Sequence, residues 1–217
     1  MRISILVDDP QSWIVTWAVT LKNTLAREGH SVILVHDQKE IVEGDIAFFL
    51  GCIRIIKPQI LDRSKNNLVV HPSDLPKGRG FSPLAWQILE GKNDIPICLF
   101  EAVPEMDAGV IYLRDTINLN GYELNEEIKH LQGEKTLDMC LRFVHEYHSI
   151  SPEVQEGAST FYPRRSSEDS ELDIHKPLLE LFPLLRVVDN SRYPAFFYLN
   201  NHKYVIRIER ENEHPSK

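Results

Sequence analysis

The first hundred residues alternate short apolar runs with stretches of helical periodicity, and this alternation constrains the fold more than any other feature. Residues 3–7 are apolar and β-rich, residues 13–27 carry apolar side chains near helical spacing, and residues 31–36 return to a strand pattern. Gly29 follows the helical stretch, as glycine often does at a helix C-terminus. A strand, a helix and a strand in this order form a βαβ unit, which predicts a parallel α/β sheet.

Further elements follow from the same patterns along the chain. The sequence predicts strands at 45–50, 67–70, 95–100 and 110–117, helices at 58–61, 84–89, 125–147 and 177–188, and a C-terminal hairpin of strands 196–199 and 204–208. The composition becomes polar over residues 149–173. That change indicates a surface connection between an α/β region and a shorter C-terminal part.

Charge and cysteine content exclude several classes of protein. The 217 residues include 32 acidic and 24 basic side chains, a net charge of −8, so the chain lacks the basic footprint of a nucleic-acid-binding protein. It also has no basic block that would bind an anionic membrane.

The cysteines and the N-terminal run bear on the cellular compartment. Cys52 and Cys98 lie inside apolar runs, as reduced buried thiols do. Asp8 ends the first apolar run too early for a signal peptide. We therefore expect a cytoplasmic protein with neither a membrane nor a nucleic-acid partner.

The absence of several sequence motifs reduces the number of enzyme classes to which this chain could belong. No glycine-rich loop lies between residues 7 and 13, which excludes a dinucleotide fingerprint or a P-loop at that position. No GxSxG sequence occurs, which argues against a serine hydrolase of the α/β class. Glu101, Glu105 and Asp107 have no histidine at a metal-ligand spacing, so we expect no metal cofactor.

A polar loop rich in proline and glycine follows the strand predicted at 67–70. It opens with His71 at the carboxyl end of a parallel strand, where open α/β sheets bind their ligands. Asp107 opens another turn after the strand predicted at 95–100. In a parallel sheet both side chains would lie at the same edge, which makes them a candidate catalytic pair. Loop capping and turn chemistry would also account for these two residues.

The residues of this loop form a specific sequence motif. It reads His71-Pro72-Ser73-Asp74-Leu75-Pro76, is followed by Arg79-Gly80, Pro83 and Trp86, and has Asp107-Ala108-Gly109 downstream. These residues resemble the signature of formyltransferases that use 10-formyltetrahydrofolate, which consists of Asn-x-His, a Ser-Leu-Pro type of loop and a downstream Asp-x-Gly. That family includes glycinamide ribonucleotide, methionyl-tRNA and sugar N-formyltransferases.

Two further stretches resemble one part of that family. A run from Arg164-Arg165 to Tyr193-Pro194 is similar to sugar N-formyltransferases. Residues 77–83 further resemble enzymes that formylate UDP-linked amino sugars, such as those of the pseudaminic acid pathway. Residues 77–83 also resemble formylation domains of peptide synthetases. The resemblance extends over roughly residues 1–208. It implies a Rossmann-like α/β domain with a mixed, mostly parallel sheet over residues 1–150, and a C-terminal helix-hairpin extension over residues 151–217.

The resemblance also implies a catalytic role for two residues. A neutral amine would attack the formyl carbon, and protonated His71 would donate to the formyl oxygen as charge develops on it. Ionised Asp107 would stabilise the protonated histidine and draw a proton from the amine, directly or through water.

Binding residues follow from position in the family and from side-chain chemistry. The family binds the pterin mostly through backbone groups of two loops, which correspond here to Cys52, Ile53, Arg54, Glu101, Val103 and Met106. Candidate contacts to a nucleotide-linked sugar are a base-stacking aromatic, a loop-orienting hydroxyl and two phosphate-binding cations, namely Trp13, Ser73, Lys77 and Arg79. Burial of the tryptophan, a plain turn hydroxyl and a solvated loop are the alternatives.

One residue departs from the family pattern. Val69 occupies the position two before His71 where the family has asparagine. The asparagine amide donates to the developing oxyanion, which valine cannot do, and loss of such a donor typically reduces the rate by about 10²–10³-fold. Asn67 lies further back on the same strand face and Asn66 lies on the other, so neither is expected to replace it.

Three functions therefore remain open from the sequence. The favoured one is N-formylation of a nucleotide-linked, UDP-type 4-amino sugar. The second is formylation of an aminoacyl or other amine, and the third is a non-catalytic binding relic, which the valine would allow. The C-terminal hairpin is a candidate contact for a homodimer.

Overall fold

The computed structural model describes residues 1–211, and its elements follow the predicted order. The first part contains β1 (Arg2–Leu6), α1 (Val15–Arg27), β2 (Ser31–Val35), β3 (Gly44–Phe49), α2 (Pro58–Leu61), β4 (Ser64–His71), β5 (Arg79–Gly80), α3 (Pro83–Leu89) and β6 (Asp94–Glu101). The second part contains β7 (Ile111–Asn118), α4 (Asn125–His145), β8 (Phe161–Tyr162), α5 (Leu178–Val187), β9 (Ala195–Leu199) and β10 (His202–Ile206). Short 3₁₀ helices lie at Gln38–Glu40 and Glu168–Ser170.

Six strands form one mixed sheet in the order β2-β1-β3-β4-β6-β7. Strands β1 to β4 pair in parallel, as the βαβ pattern predicted. Strand β6 runs antiparallel to β4, with Leu68 opposite Glu101 and His71 opposite Cys98, and β7 runs antiparallel to β6. The expected Rossmann-like α/β class is confirmed. The expectation that the strands before His71 and Asp107 run parallel is wrong.

Helices cover the sheet on both faces. One face, with Phe48 and Leu68, packs against α1, α3 and α4 in the larger core. The other face, with Phe49, packs against Ile60 of α2 in a smaller core. Because successive strand residues point to opposite faces, strands that are buried on both sides read as continuous apolar runs.

The chain after α4 returns to the region that follows His71. Strand β8 pairs in parallel with β5, a two-residue contact that no pattern in the sequence predicted. Helix α5 and the β9–β10 hairpin share a small core of their own that includes Leu185 and Ala195. Asn200 and Asn201 form the two-residue hairpin turn with positive φ angles of 49° and 64°, so β10 begins two residues earlier than predicted.

Candidate active site

A cavity of about 860 Å³ opens at the carboxyl ends of β1, β3 and β4. Its walls come from the segments that follow these strands, from the start of α3 and the β6–β7 loop, and from the first turns of α4. Two stretches of the C-terminal part, after β8 and after α5, complete the wall. This is the sheet edge at which open α/β folds bind ligands.

His71 is the last residue of β4 and lines this cavity, although only 7% of the residue is exposed. Its Nε2–H donates to the carbonyl of Gly78 at 2.8 Å, because a carbonyl can only accept. An edge-on contact with Phe100 restrains the ring plane. Within residues 1–211 the Nδ1 atom has no hydrogen-bond partner, so this nitrogen is available to a ligand.

Asp107 reaches His71 by a route that differs from the predicted one. Strand β6 ends opposite Leu68, so the loop of residues 102–110 must return along the sheet to place Asp107 beside the end of β4. The Asp107 Oδ2 atom accepts from the backbone N–H of Gly80 at 2.8 Å and lies 3.9 Å from His71 Nε2. The structure therefore brings the predicted pair together, although by a loop and not by a shared strand direction.

A polar clamp holds the Asp107 loop in place. Gln155 Nε2 donates to the carbonyls of Asp107 and Gly109, both at 2.8 Å. Gln155 Oε1 accepts from Arg79 at 2.9 Å, and Arg79 forms an ion pair with Glu105 at 3.0 Å. Sequence reasoning missed Gln155, because it lies in an irregular polar stretch where no periodicity or motif distinguishes it.

Val69 presents an apolar surface to the cavity where the family pattern has an amide. It packs against Phe100 and neighbouring apolar side chains. Asn67 donates instead to the carbonyl of Leu61 at 2.9 Å, and the Asn66 side chain donates to Glu101. Neither amide lines the cavity, so neither replaces the missing oxyanion donor.

The loop after β3 is shaped by Asp8, a residue that sequence reasoning treated only as the end of a strand. The Asp8 carboxylate accepts the backbone N–H groups of Ile53 and Arg54 at distances of 2.9 to 3.1 Å. Arg164 donates to the Ile53 carbonyl at 3.0 Å. Cys52, Ile53 and Arg54 all line the cavity, and burial with Asp8 nearby raises the pKa of the Cys52 thiol to about 12. The backbone groups predicted to hold a pterin are thus partly used within the protein.

Only some residues of the second loop proposed for the pterin line the cavity. Val103 and Met106 line the cavity. Glu101 does not, because its carboxylate accepts from the side chains of Asn66 at 3.1 Å and Tyr112 at 3.0 Å. The Glu101 side chain thus belongs to a buried polar network, and a backbone contact from this residue to a pterin stays a prediction.

The four residues predicted to contact a nucleotide-linked sugar are separated by the structure. Trp13 lines the cavity. Ser73 is buried outside the lining, Lys77 is exposed outside it, and Arg79 is buried in the clamp. The cationic side chains that do line the cavity are Arg54, Lys129, Arg165 and Arg192.

Over residues 1–211, no three histidine, cysteine or acidic side chains converge as they would around a metal ion. Within the same range, no helix combines the length and apolar character needed to cross a membrane. The three cysteines are free thiols.

Comparison with known proteins identifies one family. The family described as formyl transferase matches residues 8–135, which contain β2 to β7, His71 and Asp107. The match covers the end of β4 and the β6–β7 loop, which carry the two candidate catalytic residues.

Solved structures share the fold at low sequence identity. A methionyl-tRNA formyltransferase from Clostridium thermocellum has a TM-score of 0.84 at 23% identity, covering 98% of this chain and 94% of that chain. A sugar N-formyltransferase from a Shewanella species has a TM-score of 0.74 at 14% identity, covering 99% of both chains. HypX from Aquifex aeolicus, in complex with tetrahydrofolic acid, has a TM-score of 0.75 at 20% identity, covering 96% of this chain but 37% of that chain.

Proposed function

This chain belongs to the formyl transferase family and is a formyltransferase, and we propose that it transfers the formyl group of 10-formyltetrahydrofolate to the amine of a UDP-linked 4-amino sugar. One observation carries the proposal. The Asp107 carboxylate lies 3.9 Å from the His71 ring, and both side chains line a cavity at the ligand-binding edge of the sheet.

The cavity suits a folate donor in size and in chemistry. Its volume of about 860 Å³ falls within the roughly 300–1,000 Å³ of typical small-molecule pockets. Ile53, Val103 and Met106 supply apolar surface for a flat ring. The structural neighbour HypX is described in complex with tetrahydrofolic acid, which supports a donor of this class. When bound, such a donor supplies an activated formyl carbon.

In this proposal His71 stabilises negative charge on the formyl oxygen. Its Nε2–H is engaged by Gly78, which leaves Nδ1 for the ligand. In the protonated ring Nδ1 donates a charge-assisted hydrogen bond, the kind of interaction that strengthens as the oxyanion forms. Asp107 stabilises the protonated ring through its negative charge at 3.9 Å.

The same pair accounts for the proton balance of the transfer. The amine nitrogen bonds to the formyl carbon, and the bond from that carbon to the donor nitrogen breaks. The amine gives up one proton and the departing nitrogen takes one. Asp107 accepts the first proton, directly or through water, and His71 is the adjacent acid that returns one to the departing nitrogen.

Val69 concentrates charge stabilisation on His71. An amide at this position would share the oxyanion, whereas the valine side chain cannot donate a hydrogen bond. The proposal therefore assigns His71 a larger share of the rate than a site with both donors would, and it predicts an enzyme that depends strongly on this ring.

Net charge favours a small acceptor over a tRNA. The chain carries a net charge of −8, whereas recognition of a polyanionic nucleic acid requires a basic surface that neutralises phosphates. The fold is shared with the Shewanella sugar N-formyltransferase over 99% of both chains and with the methionyl-tRNA formyltransferase over 98% of this chain, so the proposed choice of an amino sugar rests on the charge.

The test is formylation by the purified protein. We would supply 10-formyltetrahydrofolate with a panel of UDP- and dTDP-linked 4-amino sugars and follow release of tetrahydrofolate. His71→Asn should lower turnover by at least roughly 100-fold. His175→Asn is the matched control, because His175 is exposed and does not line the cavity.

Each outcome of this assay is informative. Turnover of one sugar that is lost in His71→Asn and kept in His175→Asn supports the proposal. Turnover only with an aminoacyl amine would replace the sugar by the second acceptor class. Absence of turnover with any amine, together with absence of folate binding, would contradict the proposed reaction.

A further inference from the structure

One cation in the cavity wall differs from the others in its surroundings. Arg165 lies between β8 and the 3₁₀ helix Glu168–Ser170, is half-buried and lines the cavity. Its guanidinium carbon lies 5.8 Å from the centre of the Trp86 ring, and Trp86 is in turn stacked on Tyr162. A guanidinium at this distance from an aromatic ring is attracted to it, which favours this position of the charged group.

The guanidinium is poorly satisfied by the protein. Its Nη2 donates to the backbone carbonyl of Asp169 at 3.0 Å, whereas the buried Nε has no hydrogen-bond partner within residues 1–211. Across the same residues, no carboxylate lies within ion-pair distance of Arg165. The Asp169 carboxylate is used elsewhere, because its Oδ2 accepts from the backbone and hydroxyl of Ser166.

The other cations of the wall are either paired or exposed. Lys129 forms ion pairs with Glu126 and Asp189 at 3.0 and 2.9 Å, and Arg192 contacts Asp9 at 3.4 Å. Arg54 is exposed, so water can satisfy its guanidinium. Arg165 thus combines partial burial with the absence of a carboxylate partner among the described residues.

A half-buried cation without a counter-charge is unfavourable unless something else compensates for it. Burial lowers the pKa of Arg165, only partly opposed by Asp169, although an arginine side chain remains charged near neutral pH. Planar guanidinium groups bind phosphate and carboxylate oxygens through paired N–H donors, and among residues 1–211 only Nη2 of Arg165 has a hydrogen-bond partner.

We propose that Arg165 binds an oxyanion group of a ligand in the cavity. The chemistry is that of a phosphate or a carboxylate. Under the proposed function, on which the choice of ligands rests, the two sources are the diphosphate of the nucleotide-linked acceptor and the glutamate carboxylates of the folate. Lys77 and Arg79, the phosphate contacts expected from the sequence, lie outside the cavity lining, which leaves this role unfilled by them.

Calorimetric binding to the full chain tests the assignment and separates the two sources. The probes are UDP, inorganic diphosphate and tetrahydrofolate, and the proteins are wild type, Arg165→Gln, Arg165→Lys and Arg142→Gln. Arg142 is a partly exposed arginine of α4 outside the cavity lining, so its substitution removes the same charge without touching the site.

Arg165→Gln should weaken one class of probe by roughly 10- to 100-fold, the range for a lost charged hydrogen bond. Arg165→Lys should give a smaller loss, because it keeps the charge but not the planar donors. Arg142→Gln should bind all three probes as the wild type does. Weakening of UDP and diphosphate alone identifies the acceptor phosphates as the source, and weakening of tetrahydrofolate alone identifies the folate carboxylates.

Affinities that change by less than about twofold for every probe would overturn the proposal, as would failure of the wild type to bind any of them. Circular dichroism checks that each variant is folded, and Arg165→Lys keeps the test usable if the glutamine variant is not. If the protein formylates a sugar but its affinities for the probes do not change in the Arg165 variants, only the assignment of Arg165 is rejected. Arg165-dependent binding without any turnover would reject the proposed reaction alone.

Discussion

Two polar clusters each include residues of strand β4, and they differ in how far their polar groups are bonded to one another. In the first, Glu101 accepts from the Asn67 backbone at 2.5 Å and from the Asn66 and Tyr112 side chains. The Tyr147 hydroxyl donates to Asn66 Oδ1 at 3.0 Å and completes this group, which we call the closed network. Its members are bound to one another and do not line the cavity.

The second cluster is the pair of His71 and Asp107, which we call the open pair. Its outer atoms are held by Gly78 and Gly80, but His71 Nδ1 has no partner among residues 1–211. Both side chains line the cavity. Polar groups that are bonded to one another stabilise a fold, whereas polar groups that are oriented but left partly free beside a cavity are available for chemistry. The comparison predicts that substitutions in the two clusters separate activity from stability.

The largest effect is expected at Asp107. Asp107→Asn keeps the shape of the side chain but removes the negative charge that stabilises protonated His71, so turnover should fall by at least roughly 100-fold. The loss in unfolding free energy, measured by chemical denaturation, should be much smaller than the loss of transition-state stabilisation that the fall in turnover implies. Near-normal turnover in this variant would remove Asp107 from the catalytic pair.

A smaller effect on activity is expected at Gln155. Gln155→Ala removes the two hydrogen bonds to the carbonyls of Asp107 and Gly109, so the loop should hold the carboxylate less tightly. We expect kcat to fall by roughly 10-fold, because loss of orientation lowers the rate without removing a reacting group. Gln155→Glu keeps one acceptor for Arg79 but cannot donate to these carbonyls.

The measurement that separates positioning from folding is kcat against KM, with the unfolding midpoint recorded on the same samples. Gln155→Ala and Gln155→Glu should both lower kcat more than they raise KM. A variant that loses stability but keeps wild-type kcat would show that the clamp is structural only.

The opposite pattern is expected in the closed network. Tyr112→Phe removes the hydroxyl that donates to Glu101 and accepts from Asn66, leaving both partners underbonded. Unfolding by denaturant should show a loss of about 1–2 kcal/mol. Turnover at saturating substrate should stay close to that of the wild type. A large loss of turnover in a stably folded Tyr112→Phe protein would break the distinction between the two clusters.

The smallest effect concerns pH. Burial raises the pKa of Glu101 above its ordinary value of 4.5, because desolvation outweighs the hydrogen bonds from Asn67, Asn66 and Tyr112. The native state therefore holds this proton more tightly than the unfolded state. The stability that the protonated Glu101 side chain contributes is lost as the pH rises from 4.5 through the raised pKa. The difference in unfolding free energy between wild type and Glu101→Gln should fall over that interval and then level off. A difference that rises with pH would contradict the sign.

The sequence predicted most of the fold, because buried strands and amphipathic helices have short-range periods. The antiparallel direction of β6 was missed, since strand direction depends on pairing between distant segments and a buried strand reads the same in either direction. His71 was identified because its loop chemistry is local, and Asp107 because its motif matched a family. Gln155 and Arg165 lie in an irregular segment, and only the tertiary fold shows what they contact.

The most direct test of the central claim is a double-mutant cycle on the open pair. Turnover is measured for wild type, His71→Asn, Asp107→Asn and the double variant with 10-formyltetrahydrofolate and the preferred amine. Because the two residues act as one unit, the double variant should lose little more than the slower single variant. Losses that multiply would show that His71 and Asp107 act independently and would contradict the account.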